Sequence, residues 1–434
     1  MDEIRSELID VEHLQPGMYV ELELGWMAHP FPTGSFKITS DKQIEIIRGL
    51  GRKQVRYLPG KSDQITPIPP MNPANAANAN PASADAQLQR QEDAAREQQR
   101  QQRAEQLAAQ QRDLALCERR FGQTVRQYKQ VLEQVYSQPQ AVLAQCQALI
   151  TDYVTEMLGT GESAIRLLSD GSGDKLALHP VNITIISLLL GKQLGLSAAD
   201  MTDLGLAAFL HDIGKLELPE RVRWLEDSFS AHEVKAYQTH VAQGVLLGKR
   251  MALPAGALLA IAQHHELANG SGFPARLKGD AITLPARILA LVNRYENLCN
   301  PSRPSNALTP HDALALLFAQ FKSRFDAKVL NGFVRMMGVY PPGSVVQLTD
   351  ARYGLVVSVN SSRPLKPRLV VFDAKVPRHE ALILDLETMP ELGIQHSLKP
   401  AALPRAALDY LSPRQRMSYF FERAVELPTP QAAP

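Results

Sequence analysis

Two short segments of the chain carry side chains that could hold divalent metal ions: residues 210–215 (Leu-His-Asp-Ile-Gly-Lys) and 264–266 (His-His-Glu). A glycine-rich segment, residues 270–274 (Gly-Ser-Gly-Phe-Pro), closely follows the second. Imidazole and carboxylate groups are both good ligands for divalent first-row ions. The pair His211–Asp212 follows an apolar run, residues 204–210, which predicts that it lies on a buried helix and not on a solvated loop.

The spacing within these segments suggests phosphoester chemistry. Lys215 lies one helical turn beyond His211, so both are expected to face the same side of a helix. A phosphate oxygen would then fit between a metal ion and the ammonium group. Two metals sharing a carboxylate would lower the pKa of a bridging water, which could then attack phosphorus. We therefore expect a metallo-phosphohydrolase in which Asp212 and Lys215 are catalytic.

The candidate metal ligands come from segments that are well separated along the chain. In order, they are His179, His211, Asp212, His240, His264 and His265. A lone histidine is more often a packed or surface residue, and this is the interpretation for His13, His29, His232, His311, His379 and His396.

Composition restricts the class of protein. The chain has 434 residues, 45% of them hydrophobic, a net charge of +1 and three widely spaced cysteines. The charge argues against binding to a nucleic-acid polymer, and the cysteines form neither a disulfide framework nor a metal motif. Residues 1–10 lack an apolar signal core, and no apolar run reaches the ~20 residues that span a bilayer. We expect a cytoplasmic protein without membrane insertion.

The N-terminal part of the chain divides into two segments. Residues 1–65 predict a small α/β regulatory module: strands near 18–24 and 53–58 flank a short helix that begins with a capping box at 40–43. Residues 66–86 are rich in Pro, Ala and Asn and predict a flexible linker.

Residues 87–150 predict a long polar helical segment. Apolar side chains recur every seventh residue at Leu107, Leu114, Phe121, Tyr128 and Val135. Such a stripe is typical of a coiled-coil seam in a homodimer, or of a helix packed on its own catalytic domain. The sequence does not separate these alternatives.

Residues 151–338 have helical periodicity and few strand signals. Residues 339–434 predict a β-rich subdomain with short strands near 344–348, 355–359, 368–372 and 381–384, followed by helical patches near 405–411 and 413–426 and a loose tail. The expected fold is multidomain and mainly α, a helical bundle with a small N-terminal α/β module and a short C-terminal β-rich subdomain.

The region from about 170 to 338 resembles an HD-GYP domain, a branch of the HD phosphohydrolases. The resemblance includes residues 179–182 (His-Pro-Val-Asn), the three segments above, His240, and residues 277–279 and 286–292. The N-terminal module also resembles a small domain that often precedes HD-GYP domains. The resemblance implies an HD-type bundle with two divalent iron or manganese ions that hydrolyses cyclic di-GMP to pGpG and GMP.

The resemblance also implies roles for individual residues. His179, His211 and Asp212 would hold the first metal, with Asp212 bridging, and His240, His264 and His265 would hold the second. Lys215 would contact the scissile phosphate, and the loop Gly272, Phe273 and Pro274, Gly-Phe-Pro where the family has Gly-Tyr-Pro, would shape the rim of the site.

Besides Phe273, three features depart from the family pattern: Asn293, Lys175 and the phosphate-binding cations. Asn293 replaces an Asp ligand, so it offers a neutral oxygen and should hold the first metal more weakly. Lys175 replaces the Glu that supplies a third metal site. Arg303 resembles the first of two phosphate-binding cations, whereas the second is missing.

Three hypotheses follow. The leading one is a cyclic di-GMP phosphodiesterase in bacterial second-messenger signalling. The second is a degenerate HD-GYP module that binds a nucleotide or a signalling-protein partner without turnover, because Asn293 lacks the charge of the Asp. The third is an HD hydrolase acting on another phosphoester, such as a different cyclic dinucleotide.

Overall fold

The computed structural model describes residues 6–22, 31, 34–63, 81–159, 161–169, 175–226, 228–360 and 363–423. The chain divides into two compact units, Met1–Asp93 and Ala94–Pro434. No helix among the described residues is both long and apolar enough to cross a membrane.

The N-terminal unit is a four-stranded antiparallel sheet with one helix. Its elements are β1 (Glu7–Asp10), β2 (Tyr19–Glu21), β3 (Ser35–Lys37), α1 (Asp41–Gly49) and β4 (Gln54–Tyr57), with strand order β1-β4-β2-β3. Val20 and Val55 from the sheet pack with Ile44 and Ile47 from α1. The predicted α/β module is confirmed, but the predicted capping box is wrong. Ser40 makes no side-chain cap, because the Gln43 side chain instead accepts from the backbone N–H of Thr39 at 2.7 Å.

A long helix, α2 (Pro81–Gln134), follows. It begins before the predicted start at residue 87, so residues 81–86 are helical and not part of the linker. Proline is well tolerated in the first helical turn, and the Ala and Gln residues that follow favour the helix. The rest of the predicted linker, residues 66–80, lies outside the described residues.

The seven-residue stripe on this helix packs within the chain. Phe121, Tyr128 and Val135 are buried in the core of the C-terminal unit, and Leu114 packs against that core. The Tyr128 ring meets Phe209 edge-on at 5.1 Å. At these positions the structure therefore favours packing on the rest of the C-terminal unit over a coiled-coil seam.

The C-terminal unit is centred on a helical bundle. Its helices are α3 (Pro139–Leu158), α4 (Lys175–Gln193), α5 (Ala198–Leu210), α6 (Ala231–Met251), α7 (Ala255–Gln263), α8 (Leu284–Cys299), α9 (Pro310–Ala319) and α10 (Ala327–Met337). Residues 177–191 of α4 are buried on every face. A helix that is buried all round belongs at the centre of a bundle, and α4 packs against α5, α8 and α10.

A seven-stranded antiparallel sheet adjoins the bundle. Its strands are β5 (Ser163–Leu167), β6 (Val345–Leu348), β7 (Tyr353–Asn360), β8 (Arg368–Val371), β9 (Ile383–Asp385), β10 (Ile394–Leu398) and β11 (Tyr419–Arg423), and α11 (Arg405–Leu411) precedes the last strand. The mainly α fold with a small N-terminal sheet and a C-terminal antiparallel sheet agrees with the predicted fold class.

Two strands lie where the sequence predicted helix. β5 falls within the predicted helical stretch 151–338, and β11 within the predicted helical patch 413–426. The two pair along their whole length, from Ser163 opposite Arg423 to Leu167 opposite Tyr419. Local periodicity could not reveal this pairing, because each strand is completed by a partner distant in sequence. The sheet therefore includes a strand from within the helical region.

Candidate metal centre

The candidate ligands are supplied by the ends and inner faces of four helices. His179 lies on α4 and His240 on α6, while His264 and His265 directly follow α7. His211 caps the C-terminus of α5, and Asp212 follows it. The prediction that the His211–Asp212 pair lies within a helix is wrong, because the chain turns there into a 3-10 helix, Ile213–Glu217.

Gly214 allows this turn to lie directly against α6. A Cβ atom at Gly214 would lie 2.1 Å from the carbonyl oxygen of His240 and 2.3 Å from the backbone nitrogen of Gly244. Only glycine permits so close an approach. This contact brings the segment carrying Asp212 against the helix that carries His240.

The six side chains meet in the interior of the bundle. Potential ligand atoms of Asp212, His240, His264 and His265 lie within 4.8 Å of one another, as do those of His179, His211 and Asp212. The structure thus brings together all six residues that the sequence singled out.

Asp212 belongs to both groups. Its Oδ2 atom lies 3.3 Å from His211 Nε2 and 3.6 Å from His179 Nε2. Its Oδ1 atom lies 3.6 Å from His240 Nε2 and 4.0 Å from His264 Nε2. One carboxylate oxygen therefore faces each group.

Backbone carbonyls orient three of the imidazole rings. The Nδ1 atoms of His211, His240 and His264 lie 2.9, 2.6 and 2.6 Å from the carbonyl oxygens three residues earlier. A ring whose Nδ1–H donates to a carbonyl presents an unprotonated Nε2 atom to a metal. The Nε2 atoms of all three rings point into the cluster.

The cluster fits divalent cations. Nε2 of His240 lies 3.3 Å from Nε2 of His264 and 3.2 Å from Nε2 of His265. Because Nδ1–H of both His240 and His264 donates to a carbonyl, their two Nε2 lone pairs face each other, and a cation between them would relieve this repulsion. Burial lowers the pKa of His240 to about 4 and the pKa values of His264 and His265 well below the usual range, which keeps these rings neutral. Asp212 Oδ1 is buried and has no hydrogen-bond partner among the described residues.

Lys215 neutralises the shared carboxylate. Its Nζ atom lies 2.6 Å from Asp212 Oδ2 and sits over the rings of Trp224 and Tyr237, at 5.2 and 5.3 Å from their centroids. Burial raises the pKa of Asp212, but interactions with the His211 ring and the Lys215 ammonium group outweigh it and hold that pKa well below its usual range. Sequence reasoning missed Trp224 and Tyr237, since neither belongs to a ligand motif.

The Gly-Phe-Pro loop covers one edge of the cluster. The Phe273 ring stacks on the His265 ring with centroids 4.5 Å apart. Gly272 allows the loop to approach closely, since a Cβ there would lie 2.4 Å from the His265 carbonyl oxygen. Pro274 follows through a cis peptide bond and is exposed. Stacking by Phe273 needs no hydroxyl, so replacement of the family tyrosine preserves this contact.

The buried carboxylate of Glu266 fixes this loop. It accepts the backbone N–H groups of Ala275 at 2.6 Å and Leu277 at 2.9 Å. Glu266→Gln is expected to loosen the loop by about 1–3 kcal/mol, because an amide places a donor against one of the two N–H groups. Hydrogen exchange at the Ala275 and Leu277 amides should accelerate accordingly. Asp280→Asn, at a fully exposed acid nearby, is the matched control, and equal protection in both variants would contradict this role.

Sequence reasoning also missed Glu296. This residue is fully buried, and its Oε2 atom lies 2.5 Å from His179 Nδ1. The available signal was its position on the buried face of α8, one turn beyond Asn293. A buried acid in an apolar helix needs a partner, and here one partner is a candidate metal ligand.

The remaining predicted site residues do not belong to the two groups of candidate ligands. Asn293 is buried, and its Oδ1 atom accepts a hydrogen bond from Asn297 at 2.6 Å. Arg294 lies over the Phe321 ring at 5.2 Å. Arg303 is exposed and pairs with Glu226 at 2.6 Å. The side chain of Lys175 lies outside the described part of the chain.

Comparison with family models identifies two regions. Residues 6–146 match a domain of unknown function, DUF3391, and residues 128–329 match an HD domain. The HD match includes all six residues of the cluster.

Individual relatives are similar to part of the chain. A cyclic di-GMP phosphodiesterase of Pseudomonas aeruginosa is 29% identical over 223 residues, 50% of this chain and 52% of the relative. The cyclic di-GMP phosphodiesterase response regulator RpfG of Xanthomonas campestris is 34% identical over 150 residues, 34% of this chain and 39% of the relative. A 3'3'-cGAMP-specific phosphodiesterase of Vibrio cholerae is 29% identical over 186 residues, 41% of this chain and 39% of the relative. The chain thus spans about half or less of the length of these relatives.

Proposed function

We propose that this chain, which carries an HD domain behind a DUF3391 domain, is a metal-dependent phosphodiesterase that hydrolyses cyclic di-GMP to pGpG and GMP. The observation that carries the proposal is the buried cluster of five histidines around Asp212. Its ligand atoms form two groups that share one carboxylate, as a two-metal hydrolase requires.

The residues of the cluster divide between two cations. His179, His211 and Asp212 would hold one, and Asp212, His240, His264 and His265 the other. Iron or manganese is expected from the resemblance to HD-GYP domains, and the imidazole and carboxylate ligands are compatible with either. Bound cations supply Lewis acidity and lower the pKa of the attacking water. Asn293 would be a neutral ligand on the His179 side.

Groups of the chain itself hold the substrate phosphate. Lys215 already lies beside Asp212, where its ammonium group can stabilise charge on a phosphate oxygen. Phe273, stacked on His265, forms an apolar rim with Gly272 and Pro274 against which a base can lie. Arg303 reaches a phosphate only after leaving Glu226, so we expect it to contribute little.

The substrate class is suggested by the relatives, whose names specify cyclic di-GMP or 3'3'-cGAMP. The decisive experiment combines elemental analysis with a product assay on one preparation reconstituted with Mn²⁺ or Fe²⁺. A panel of cyclic di-GMP, 3'3'-cGAMP and a simple phosphodiester separates the substrate alternatives. If two ions are bound per chain and no substrate gives a linear product, the proposed phosphodiesterase activity is wrong.

One observation favours the alternative of a binding module without turnover. The Oδ1 atom of Asn293, the oxygen available to a metal, already accepts a hydrogen bond from Asn297, and Asn293 carries no charge to hold a cation. A module that binds a nucleotide or a signalling partner would tolerate this loss.

Asn293→Asp is expected to strengthen metal retention about tenfold and to raise any hydrolysis, because a charged ligand on the His179 side binds a cation more tightly. The aspartate can still accept from Asn297. Equilibrium dialysis against Mn²⁺ with elemental analysis measures the change. Asn331→Asp, at an exposed position on α10, adds the same charge as a control. If Asn293→Asp changes neither metal binding nor hydrolysis, Asn293 is not a weak ligand.

The N-terminal unit is proposed to act as a regulatory or docking module in the cytoplasm. Both metal-ligand clusters found among the described residues lie in the C-terminal unit. A signalling-protein partner or a second copy of the chain would then influence hydrolysis through this unit. Measurement of the oligomeric state of the full chain in solution tests the second copy, and a pull-down with the full chain tests the partner.

A further inference from the structure

The carboxylate of Glu296 lies between a candidate metal ligand and the C-terminal sheet. One oxygen, Oε2, contacts His179 Nδ1 at 2.5 Å. The other, Oε1, accepts hydrogen bonds from the side-chain amides of Asn182 at 3.1 Å and Asn300 at 2.8 Å. Both oxygens of this fully buried acid are therefore occupied.

The same two asparagines hold the backbone that leads into β11. Both amide nitrogens donate to the carbonyl oxygen of Met417 at 2.8 Å. In return, Asn300 Oδ1 accepts the N–H of Met417 at 2.8 Å, and Asn182 Oδ1 accepts the N–H of Tyr419 at 2.9 Å. Each asparagine thus bonds the 417–419 backbone through both its nitrogen and its oxygen.

These contacts fix one arrangement of the network. An asparagine flipped end for end would place an oxygen against the Met417 carbonyl and a nitrogen against a backbone N–H, and both contacts would be lost. Glu296 can then hold its carboxylate toward His179. A carboxylate at Nδ1 fixes the tautomer and orientation of a ligand histidine and leaves Nε2 for the cation.

We infer that Asn182 and Asn300 are positioning residues that couple the docking of residues 417–419 to cation binding at His179, through Glu296. The inference rests on the proposed metal centre. Such coupling is reciprocal: a cation on the His179 side stabilises the docked segment, and the docked segment strengthens binding of that cation.

A double-mutant cycle tests whether the residues act as one network. Glu296→Gln keeps the oxygen that receives the two amides but offers His179 a donor where it needs an acceptor. We expect it to weaken one of two Mn²⁺ sites about 10–100-fold, the usual effect of removing an outer partner of a ligand histidine. Asn300→Ala, at a half-buried position, should weaken the same site about tenfold. Because both act through one contact, the double variant should match Glu296→Gln alone.

Ser358→Ala is the matched control. Ser358 is buried and bonds Glu422 of β11 at 2.7 Å, away from the asparagines. This variant removes a contact of β11 that lies beyond residues 417–419 and does not involve Glu296, so Mn²⁺ affinity should stay within about twofold of the unaltered protein. Two results would overturn the inference and indicate a general structural role. One is that Ser358→Ala lowers Mn²⁺ affinity as much as Asn300→Ala does, and the other is that the losses of Mn²⁺ affinity from Glu296→Gln and Asn300→Ala multiply in the double variant.

Hydrogen exchange supplies a second measurement that does not depend on turnover. Added Mn²⁺ should slow exchange of the Met417 and Tyr419 amides in the unaltered protein, and this protection should disappear in Asn300→Ala. Two bound ions without protection of these amides would overturn the coupling and leave the proposed function intact. Failure of the unaltered protein to bind Mn²⁺ would overturn the metal centre, and the coupling with it.

Discussion

Asp212→Asn is expected to release both cations and to lower hydrolysis of a cyclic dinucleotide by about 10³-fold or more, because paired-ion hydrolysis needs both ions. The Asp212 carboxylate faces the His179 and His211 nitrogens with one oxygen and the His240 and His264 nitrogens with the other. An amide keeps the shape but loses the charge and presents a donor on one side. A single substitution should therefore disable both groups of ligands.

Two histidines on one helix provide the control. His240 is buried in the cluster, whereas His232 lies on the exposed first turn of α6. His240→Ala should lose metal, and His232→Ala should retain two ions per chain and full activity. Elemental analysis and the product assay report both quantities, and circular dichroism checks that each variant is folded. Two ions retained by folded Asp212→Asn would refute the shared-carboxylate assignment.

Gly214→Ala is expected to destabilise the C-terminal unit by more than about 3 kcal/mol, beyond the usual cost of overpacking. The added methyl group would lie 2.1 Å from the His240 carbonyl oxygen and 2.3 Å from the Gly244 nitrogen. Both contacts are with backbone, so no side chain can turn aside. Relief requires separation of the 3-10 helix from α6, which also moves Asp212 away from His240.

Gly122→Ala is the corresponding control. Gly122 lies within α2, and a Cβ atom there meets only the Arg126 side chain, at 3.6 Å. Alanine should stabilise that helix by about 0.5–1 kcal/mol. Thermal or urea unfolding compares the two variants. A Gly214→Ala protein as stable as the unaltered chain would show that the 3-10 helix does not need its close contact with α6.

The candidate ligands could be identified from sequence because their chemistry is local. His211–Asp212 and His264–His265 are adjacent pairs that packing alone does not explain, and a motif places Lys215 beside the first. Glu296 could not be identified in this way, since its role depends on Asn182 and Asn300 meeting it from other positions. An asparagine in an apolar helix gives no local sign of what its amide binds.

The fold could be predicted where periodicity is a local property. The helices around α4 and the strands β6 to β8 follow patterns contained within each segment. The strands β5 and β11 were missed, because they are held by partners distant in sequence: β5 pairs with both β7 and β11, and β11 pairs with β5. The N-terminal capping box failed for a related reason: the Gln43 side chain has a competing backbone partner at Thr39, and the sequence does not rank the two.

The pairing of β5 with β11 has a consequence for the order in which the chain can fold. Arg166 and Glu422, an ion pair between these strands, lie 256 residues apart in sequence. Contacts of such separation form slowly, because a very large loop must close before they contribute. On the ribosome, the bundle helices emerge long before the last strand. Until β11 is synthesised, the edge of β5 that pairs with it has no hydrogen-bonding partner strand. The hydrogen-bond network that connects Glu296, Asn182 and Asn300 to the backbone of residues 417–419 forms only after these residues have been synthesised. The candidate metal site is therefore one of the last parts of the molecule to reach its final structure.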